Sequence, residues 1–278
     1  MSEARPLLGN AEEWWSTAII DVQPGMIGIR GYPIQQLIGR LTFVDMIWLM
    51  LRGEAPSFDQ RELLEAALVA SVDHGPHAPS IAIARMAITC GVDLNNAMAS
   101  AVNVLGDVHG GAGQQCMELY DEISREAGDV GELSAATDRV LGRRVAAHGK
   151  IIPGFGHRFH PVDPRVEPLL ALLERSVRSG AVSGRYARIG REVGEALRRR
   201  TGSSVPMNID GVTAVVFSEL GFPPPLGRGL FVLSRSVGVL AHAWEQMQRD
   251  ERIKGPMPKE IPYAYHGPPP RALEPDGG

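Results

Sequence analysis

Helical periodicity is the sequence feature that most constrains the fold of this chain. Across residues 42–248, apolar residues recur at spacings of three and four, which is typical of helices buried on one face. Several of these segments end at glycine, and Ser57 with Gln60 matches the capping box that starts a helix. No regular alternation of strand and helix segments accompanies them. We therefore predict an all-α, multi-helix fold.

Strand-forming residues are concentrated near the N-terminus. Between residues 16 and 34, β-branched residues lie on both sides of Pro24-Gly25. A Pro-Gly pair is typical of a tight turn. We predict a small N-terminal β-hairpin with residues 30–32 at its rim.

Composition limits the class of protein and its partners. The 278 residues are 44% hydrophobic and 22% charged, which is typical of a globular protein with a large core. The net charge of −4 disfavours nucleic acid as the main partner. Cys90 and Cys116 lie in apolar helical segments, so we expect buried, reduced thiols and a cytoplasmic location. No secretory signal pattern opens the chain, and its most apolar run, residues 41–51, is too short to cross a membrane.

One loop, residues 152–165, has the sequence IPGFGHRFHPVDPR. Its glycines, prolines and charged side chains suit neither a helix interior nor a strand, so we expect an ordered functional loop. Asp163 before Pro164 predicts the start of the next helix, because Asp can cap amide groups and proline is tolerated at the first helical position. A helix N-terminus at this point would attract anions.

Three ionisable residues, His109, His157 and Asp210, lie at predicted loop-to-helix junctions. A carboxylate and two imidazoles can remove a proton from a carbon beside a carbonyl while donors hold the enolate oxygen. The helix after His109 would lower the pKa of its imidazole and favour the neutral donor form. Taken singly, each residue has an alternative structural role: His109 and Asp210 as helix caps, His157 as a loop donor.

Five stretches, in order, resemble the citrate synthase superfamily. They are residues 30–34 (RGYPI), 109–112 (HGGA), 154–165 (GFGH followed by DPR), 208–210 (NID) and 234–246 (SRSVGVLAHAWEQ). The resemblance covers about residues 16–266. It implies a large, dimer-forming domain of residues 1–110 plus 222–278. It also implies a small catalytic, CoA-binding domain of residues 111–221 that closes over the large one.

The resemblance also implies a role for each motif residue. Asp210 would remove the α-proton of an acetyl thioester, His109 would donate to the thioester oxygen, and His157 would polarise the ketone of the acceptor. Acceptor carboxylates would be held by His74, Arg165 and Arg235. CoA would contact the backbone of Gly154, Phe155 and Gly156 and the cations Lys150 and Arg158, although a solvated surface role suits both cations equally.

The implied ligands are small molecules. A CoA thioester would be a substrate, and no permanently bound cofactor and no metal are implied. No nucleic acid or membrane partner is expected. The resemblance implies a homodimer or a higher homo-oligomer, with the C-terminal tail reaching the site of the neighbouring subunit.

Two departures from the synthases bear on the reaction. Residues 73–76 read DHGP, as in citryl-CoA lyases and in the lyase module of ATP-citrate lyases, where synthases carry DHE. Gly255-Pro256 replaces an Arg-Pro pair that synthases offer to the neighbouring subunit, so one carboxylate-binding arginine is missing unless Lys254, Lys259 or Arg271 substitutes. With the short chain, these departures favour cleavage of citryl-CoA to acetyl-CoA and oxaloacetate. His109 favours the alternative, a citrate synthase or a condensing enzyme for another 2-oxo acid, because the ATP-citrate lyase module lacks it.

Two further classes remain open. His74 with His77, and His157 with His160, have a three-residue spacing that could bind a metal ion, but Pro or Gly interrupts both pairs and no thiolate or carboxylate set accompanies them. The chain could also be a CoA-binding paralogue without activity. The joint presence of His109, His157 and Asp210 disfavours that interpretation.

Overall fold

The computed structural model describes residues 13–128, 130–156 and 162–272. Helices dominate these residues, and the N-terminal part carries a three-stranded antiparallel sheet. The predicted all-α fold with a small N-terminal hairpin is confirmed. Of the predicted site residues, His157 and Arg158 lie outside the described ranges, as does His160.

The sheet consists of a hairpin and one additional short strand. The strands are β1 (Ile20–Gln23), β2 (Met26–Ile29) and β3 (Tyr32–Pro33), in the order β1-β2-β3. Ile20 pairs with Ile29 and Gln23 with Met26, so the turn falls on Pro24-Gly25 as predicted. Gly25 has φ +76°, a left-handed conformation that glycine adopts without steric cost.

Arg30, at the rim of the hairpin, connects it to a helix. Its own φ is +49°, which is unusual for a residue with a side chain. The guanidinium donates to the carbonyl of Met50 from Nη2 (2.6 Å) and to that of Ala18 from Nη1 (3.2 Å). Arg30 therefore holds the sheet against the C-terminal turn of a helix that ends at Arg52.

Eleven α-helices lie within the described residues. They are α1 (Ile34–Leu37), α2 (Phe43–Arg52), α3 (Phe58–Ser71), α4 (Pro79–Thr89), α5 (Leu94–Asn103), α6 (Ala112–Ala127), α7 (Leu133–His148), α8 (Val166–Arg178), α9 (Arg185–Thr201), α10 (Ile209–Glu219) and α11 (Pro224–Met247). The predicted capping box is present, with Ser57 N donating to Gln60 Oε1 at 2.8 Å. Thr42 and Asp45 form a second capping box at the start of α2.

Two sequence predictions are wrong in detail. Helix α8 begins at Val166 and not at Pro164, because the Asp163 side chain does not cap it and instead binds Arg165 and Ile209. Cys90 is exposed at the C-terminal end of α4, whereas Cys116 is buried as expected. Neither Cys90 nor Cys116 forms a disulfide within the described residues, and their reduced state stays a prediction.

The chain divides into two compact units. The first comprises Met1–Asp73 with Leu105–Val237, and its core is formed by side chains such as Leu64, Met117 and Val215. The second comprises His74–Val104 with Gly238–Gly278 and has a core of mainly small residues from α4, α5 and the end of α11. These two units are defined by the contacts that residues make within each unit. The predicted large and small domains are instead the two parts of the chain that would move relative to each other when the site closes. That predicted division stays a prediction.

No helix within the described ranges combines the length and apolarity needed to cross a bilayer.

Candidate active site

Asp210 is held at the start of α10 without serving as its cap. The cap is Asn208, whose Oδ1 accepts from the backbone N–H of Asp210 (3.0 Å) and of Gly211 (3.2 Å). The partly buried carboxylate of Asp210 therefore lies in the first helical turn, where the positive end of the helix stabilises negative charge. Its alternative role as a helix cap is wrong.

A second helix N-terminus faces the same carboxylate. A β-carbon added to Gly113, the second residue of α6, would lie 4.0 Å from Asp210 Oδ1. A side chain at this position would lie in ordinary van der Waals contact with the carboxylate. Asp210 is thus placed near the first turns of both α10 and α6.

His109 lies in the tight loop that leads into α6. The loop is closed by a hydrogen bond of 2.8 Å from Gly106 N to His109 O. Gly111, and not His109, is the N-cap residue of α6. Burial, and then the positive charge of Arg235, lower the pKa of the half-buried His109 imidazole. His109 is therefore neutral at pH 7 and can donate a hydrogen bond. The predicted direction is confirmed, but its causes are burial and Arg235.

Arg235 is a buried cation on α11. Only 6% of the residue is exposed, its Nε donates to the carbonyl of Ser71 (3.3 Å), and its guanidinium lies 4.9 Å from the centre of the Phe231 ring. Burial lowers the pKa of Arg235, although guanidinium groups remain charged in proteins. A buried guanidinium binds a carboxylate more strongly than an exposed one, because water screens it less.

The charges around Arg235 show which predicted residues the fold brings together. Asp73 and Asp210 raise the pKa of Arg235, and the cation Arg165 lowers it. Arg235 in turn lowers the pKa of His109. The predicted base, the neutral donor and both arginines therefore share one electrostatic environment within the first compact unit.

Arg165 is anchored by a buried carboxylate that the sequence analysis had treated as a helix cap. Its Nε donates to Asp163 Oδ1 (2.9 Å) and its Nη2 to Asp163 Oδ2 (2.8 Å), and its Nη1 donates to the carbonyl of Ala70 (3.3 Å). Asp163 is 1% exposed, and its Oδ2 also accepts from the backbone N–H of Ile209 (3.0 Å). Its position two residues before Arg165 was the only signal in the sequence for this pairing.

Asp163 should make stability depend on pH in the acid range. Hydrogen bonds and the charge of Arg165 outweigh burial and lower the pKa of Asp163 from 3.8 to about 2. Because the folded pKa is depressed, the stabilisation is fully present above about pH 4 and is lost as pH falls towards 2. We expect Asp163→Asn to lower the free energy of unfolding by about 2 kcal/mol at pH 7.

Urea unfolding of the wild type and Asp163→Asn at several pH values measures this contribution. The difference in free energy should shrink steadily between pH 4 and pH 2.5. A difference that stays constant over that range would contradict the assigned charge state of Asp163.

The glycine-rich tripeptide 154–156 is tied to the residues before α10. Gly156 N donates to the carbonyl of Pro206 (2.7 Å), Asn208 N to the carbonyl of Gly154 (2.9 Å), and Asn208 Nδ2 to the carbonyl of Gly156 (2.7 Å). Phe155 points into the core and is 8% exposed. Three peptide groups of the tripeptide are thus bonded within the protein, and its contact with CoA stays a prediction.

The remaining predicted residues are placed less closely. His74 is exposed at the first position of the second compact unit, and Lys150 is exposed after α7. In the parts of the chain that the structure describes, no three His, Cys, Asp or Glu side chains are grouped to hold a metal ion.

Comparison with known proteins identifies the family. Residues 57–257, well over half of the chain, match the family described as citrate synthase, C-terminal domain. The chain belongs to the citrate synthase family. Four of the five stretches that carried the resemblance lie within the matched residues, and residues 30–34 precede them.

Solved structures of two lyases superpose on this chain. A citryl-CoA lyase from Hydrogenobacter thermophilus superposes with a TM-score of 0.82 and 31% identity, covering 94% of this chain and 98% of that one. An ATP citrate lyase from Methanothrix soehngenii superposes with a TM-score of 0.75 and 21% identity, covering 95% of this chain and 44% of that one. The second likeness concerns the fold alone.

Curated sequences in the family include citrate synthases. That of Acidithiobacillus ferridurans is 29% identical over 214 residues, which are 74% of this chain and 52% of the relative. This chain spans about half the length of the curated relatives that it matches.

Proposed function

We propose that this protein is a citryl-CoA lyase, which cleaves citryl-CoA to acetyl-CoA and oxaloacetate. The observation that carries the proposal is the grouping of the Asp210 carboxylate, the neutral His109 imidazole and a second arginine, Arg165, around Arg235. Cleavage rather than synthesis is supported by the DHGP sequence at residues 73–76. The likeness to the H. thermophilus citryl-CoA lyase over nearly the full length of both chains also supports it.

In this reaction the tertiary hydroxyl of citryl-CoA loses its proton and becomes the ketone of oxaloacetate. The adjacent carbon–carbon bond breaks, and its electron pair moves into the enolate of the departing thioester. We assign acceptance of the hydroxyl proton to His157 from its motif. Asp210 takes up a proton from solvent before cleavage and donates it to the enolate carbon, which completes acetyl-CoA, and His157 afterwards releases the hydroxyl proton to solvent.

His109 has the properties that stabilisation of an enolate requires. Its lowered pKa keeps the imidazole neutral, so that one ring nitrogen carries a proton that it can donate to the thioester oxygen. An imidazolium would protonate the enolate oxygen more readily than hydrogen-bond to it. The partial burial of His109 also strengthens the hydrogen bond as negative charge develops on the thioester oxygen.

Arg165 and Arg235 are proposed to bind carboxylates of the oxaloacetate half of the substrate. A guanidinium has five N–H groups, and contacts among the described residues engage three of those of Arg165. Arg235 makes one backbone hydrogen bond among those residues and adds a charge that burial protects from screening. His74 is proposed as a third ligand.

The finer assignments rest on the family resemblance. We propose that Lys150, Arg158 and residues 154–156 contact CoA, which is bound as a thioester substrate and not as a permanent cofactor. We also propose a cytoplasmic homodimer or higher homo-oligomer in which residues 111–221 close over residues 1–110 and 222–278.

Citrate synthesis is the alternative function. It is supported by His109, which stands where synthases place their enolate-stabilising histidine, and by the citrate synthases among the relatives. Synthesis would require hydrolysis of the citryl thioester in addition to the carbon–carbon step.

Product analysis distinguishes the two functions. Purified protein is incubated with citryl-CoA in one reaction and with acetyl-CoA plus oxaloacetate in another, and the products are identified by mass. We expect rapid formation of acetyl-CoA in the first reaction and little free citrate in the second. Stoichiometric release of citrate and CoA in the second reaction would instead support a synthase, and no product in either would overturn both assignments.

A further inference from the structure

We propose that Asp163 is a positioning residue that joins the carboxylate-binding Arg165 to the helix that carries Asp210. The inference rests on the proposed function, because it explains how Arg165 and Asp210, which have roles in that function, are held in fixed positions relative to each other. Asp163 itself is buried behind Arg165 and is not assigned any contact with substrate.

Four hydrogen bonds converge on the Asp163 carboxylate. Oδ1 accepts from the backbone N–H (3.1 Å) and from Nε (2.9 Å) of Arg165. Oδ2 accepts from Nη2 of Arg165 (2.8 Å) and from the backbone N–H of Ile209 (3.0 Å). A buried charge is stable only when it is fully hydrogen-bonded in this way, so the ionised carboxylate specifies the positions of all four donors.

The paired contact fixes the guanidinium of Arg165 in plane and direction. Two parallel N–H···O bonds to one carboxylate allow little rotation of an arginine head group. The bond from Nη1 to the carbonyl of Ala70, at the end of α3, adds a third fixed point. Arg165 is therefore preorganised for a ligand, and this preorganisation depends on Asp163.

The same carboxylate holds the start of α10. Ile209 is the first residue of that helix and directly precedes Asp210. Because Oδ2 accepts from both Ile209 and Arg165, displacement of one donor changes the bond to the other. Asp163 thus fixes the position of Arg165 relative to Asp210. In the proposed function, Arg165 binds the oxaloacetate half of the substrate and Asp210 transfers a proton.

Two separate kinetic effects are expected when Asp163 is replaced by Asn. Arg165 loses its charged partner, so KM for citryl-CoA should rise about tenfold. Asp210 loses the support of Ile209, so kcat should fall about tenfold as well. In an Arg165→Gln background, Asp163→Asn should raise KM by less than about twofold, because its route through Arg165 is already broken, while the fall in kcat persists.

The experiment measures kcat and KM for the wild type, both single variants and the double variant. Equal effects of Asp163→Asn on KM in the wild-type and Arg165→Gln backgrounds would overturn the inference. A fall in activity that is fully explained by a smaller fraction of folded protein would also overturn it. Asp45→Asn is the matched control, because Asp45 is a buried carboxylate in the capping box of α2. It should lose stability and keep kcat and KM.

Asp163→Glu provides a second route if Asp163→Asn does not fold. It keeps the charge but displaces the carboxylate by one methylene, so kcat/KM should fall at least about tenfold in folded protein. Wild-type kcat/KM in Asp163→Glu would overturn the inference. An inactive wild type would overturn the proposed function, whereas an active wild type with additive variants would overturn the positioning role alone.

Discussion

Replacing Asp210 by Asn should lower the turnover of citryl-CoA at least about 100-fold. Asparagine has nearly the same shape as aspartate but cannot carry the proton that the proposed mechanism delivers to the enolate carbon. Because Asn208 caps α10, the substitution leaves the helix cap intact. We therefore expect a change in unfolding free energy below about 1 kcal/mol, which corresponds to the lost interaction of the charge with the helix end.

Steady-state kinetics and urea unfolding of the same preparation test this prediction. Asp138→Asn is a suitable control. Asp138 lies on α7, is half-exposed and forms an ion pair with Arg199, so its substitution should leave turnover unchanged. Turnover within a factor of about three of the wild type would remove Asp210 from the mechanism. A large loss of stability would show that the first turn of α10 depends on the charge.

The helices and their starts could be predicted from the sequence because the signals are local. The capping box of Ser57 and Gln60 involves residues three apart, and the turn at Pro24-Gly25 involves adjacent ones. The predicted start of α8 was wrong because the Asp163-Pro164 pair is an ambiguous signal. Aspartate before proline is typical of a helix cap, but here a stronger competing contact with Arg165 takes the side chain.

The catalytic candidates could be named from motifs, but the contacts that hold them could not. Arg235 donates to Ser71, and Asp163 accepts from Ile209, across separations of 164 and 46 residues. Apolar periodicity shows which face of a helix is buried and does not show which residues meet there. The pKa of His109 illustrates the same limit, because its main causes are tertiary burial and Arg235 rather than the helix that follows it in sequence.

Replacing Gly154 by Ala should lower the free energy of unfolding by about 3 kcal/mol or more. A β-carbon at this position would lie 2.5 Å from Cys116 Sγ and 2.8 Å from Gly211 Cα, both closer than atoms can pack. Cys116 is fully buried, and Gly211 belongs to the first turn of α10, so neither can move aside cheaply. The left-handed φ of +85° adds about 1 kcal/mol of backbone strain.

Gly53→Ala separates the steric effect from the backbone strain. Gly53 has φ +88° in the left-handed region, and a β-carbon there would meet no atom within 4 Å, so this variant should lose only about 1 kcal/mol. Equal losses in the two variants would contradict the steric argument. Adding Cys116→Ala to Gly154→Ala should recover part of the stability, because it removes the nearest atom and leaves the contact with Gly211.

The same substitution tests whether stability and catalysis share this contact. The carbonyl of Gly154 would lie only 2.3 Å from a β-carbon at Gly211, so the two glycines are packed backbone to backbone beside Asp210. Any movement that accommodates an added methyl group must shift the turn that carries the carboxylate. We therefore expect folded Gly154→Ala, assayed at low temperature, to lose at least about tenfold in kcat/KM, while Gly53→Ala retains it. Full activity of folded Gly154→Ala would mean that the added methyl group displaces the loop of residues 154–156 and leaves α10 in place.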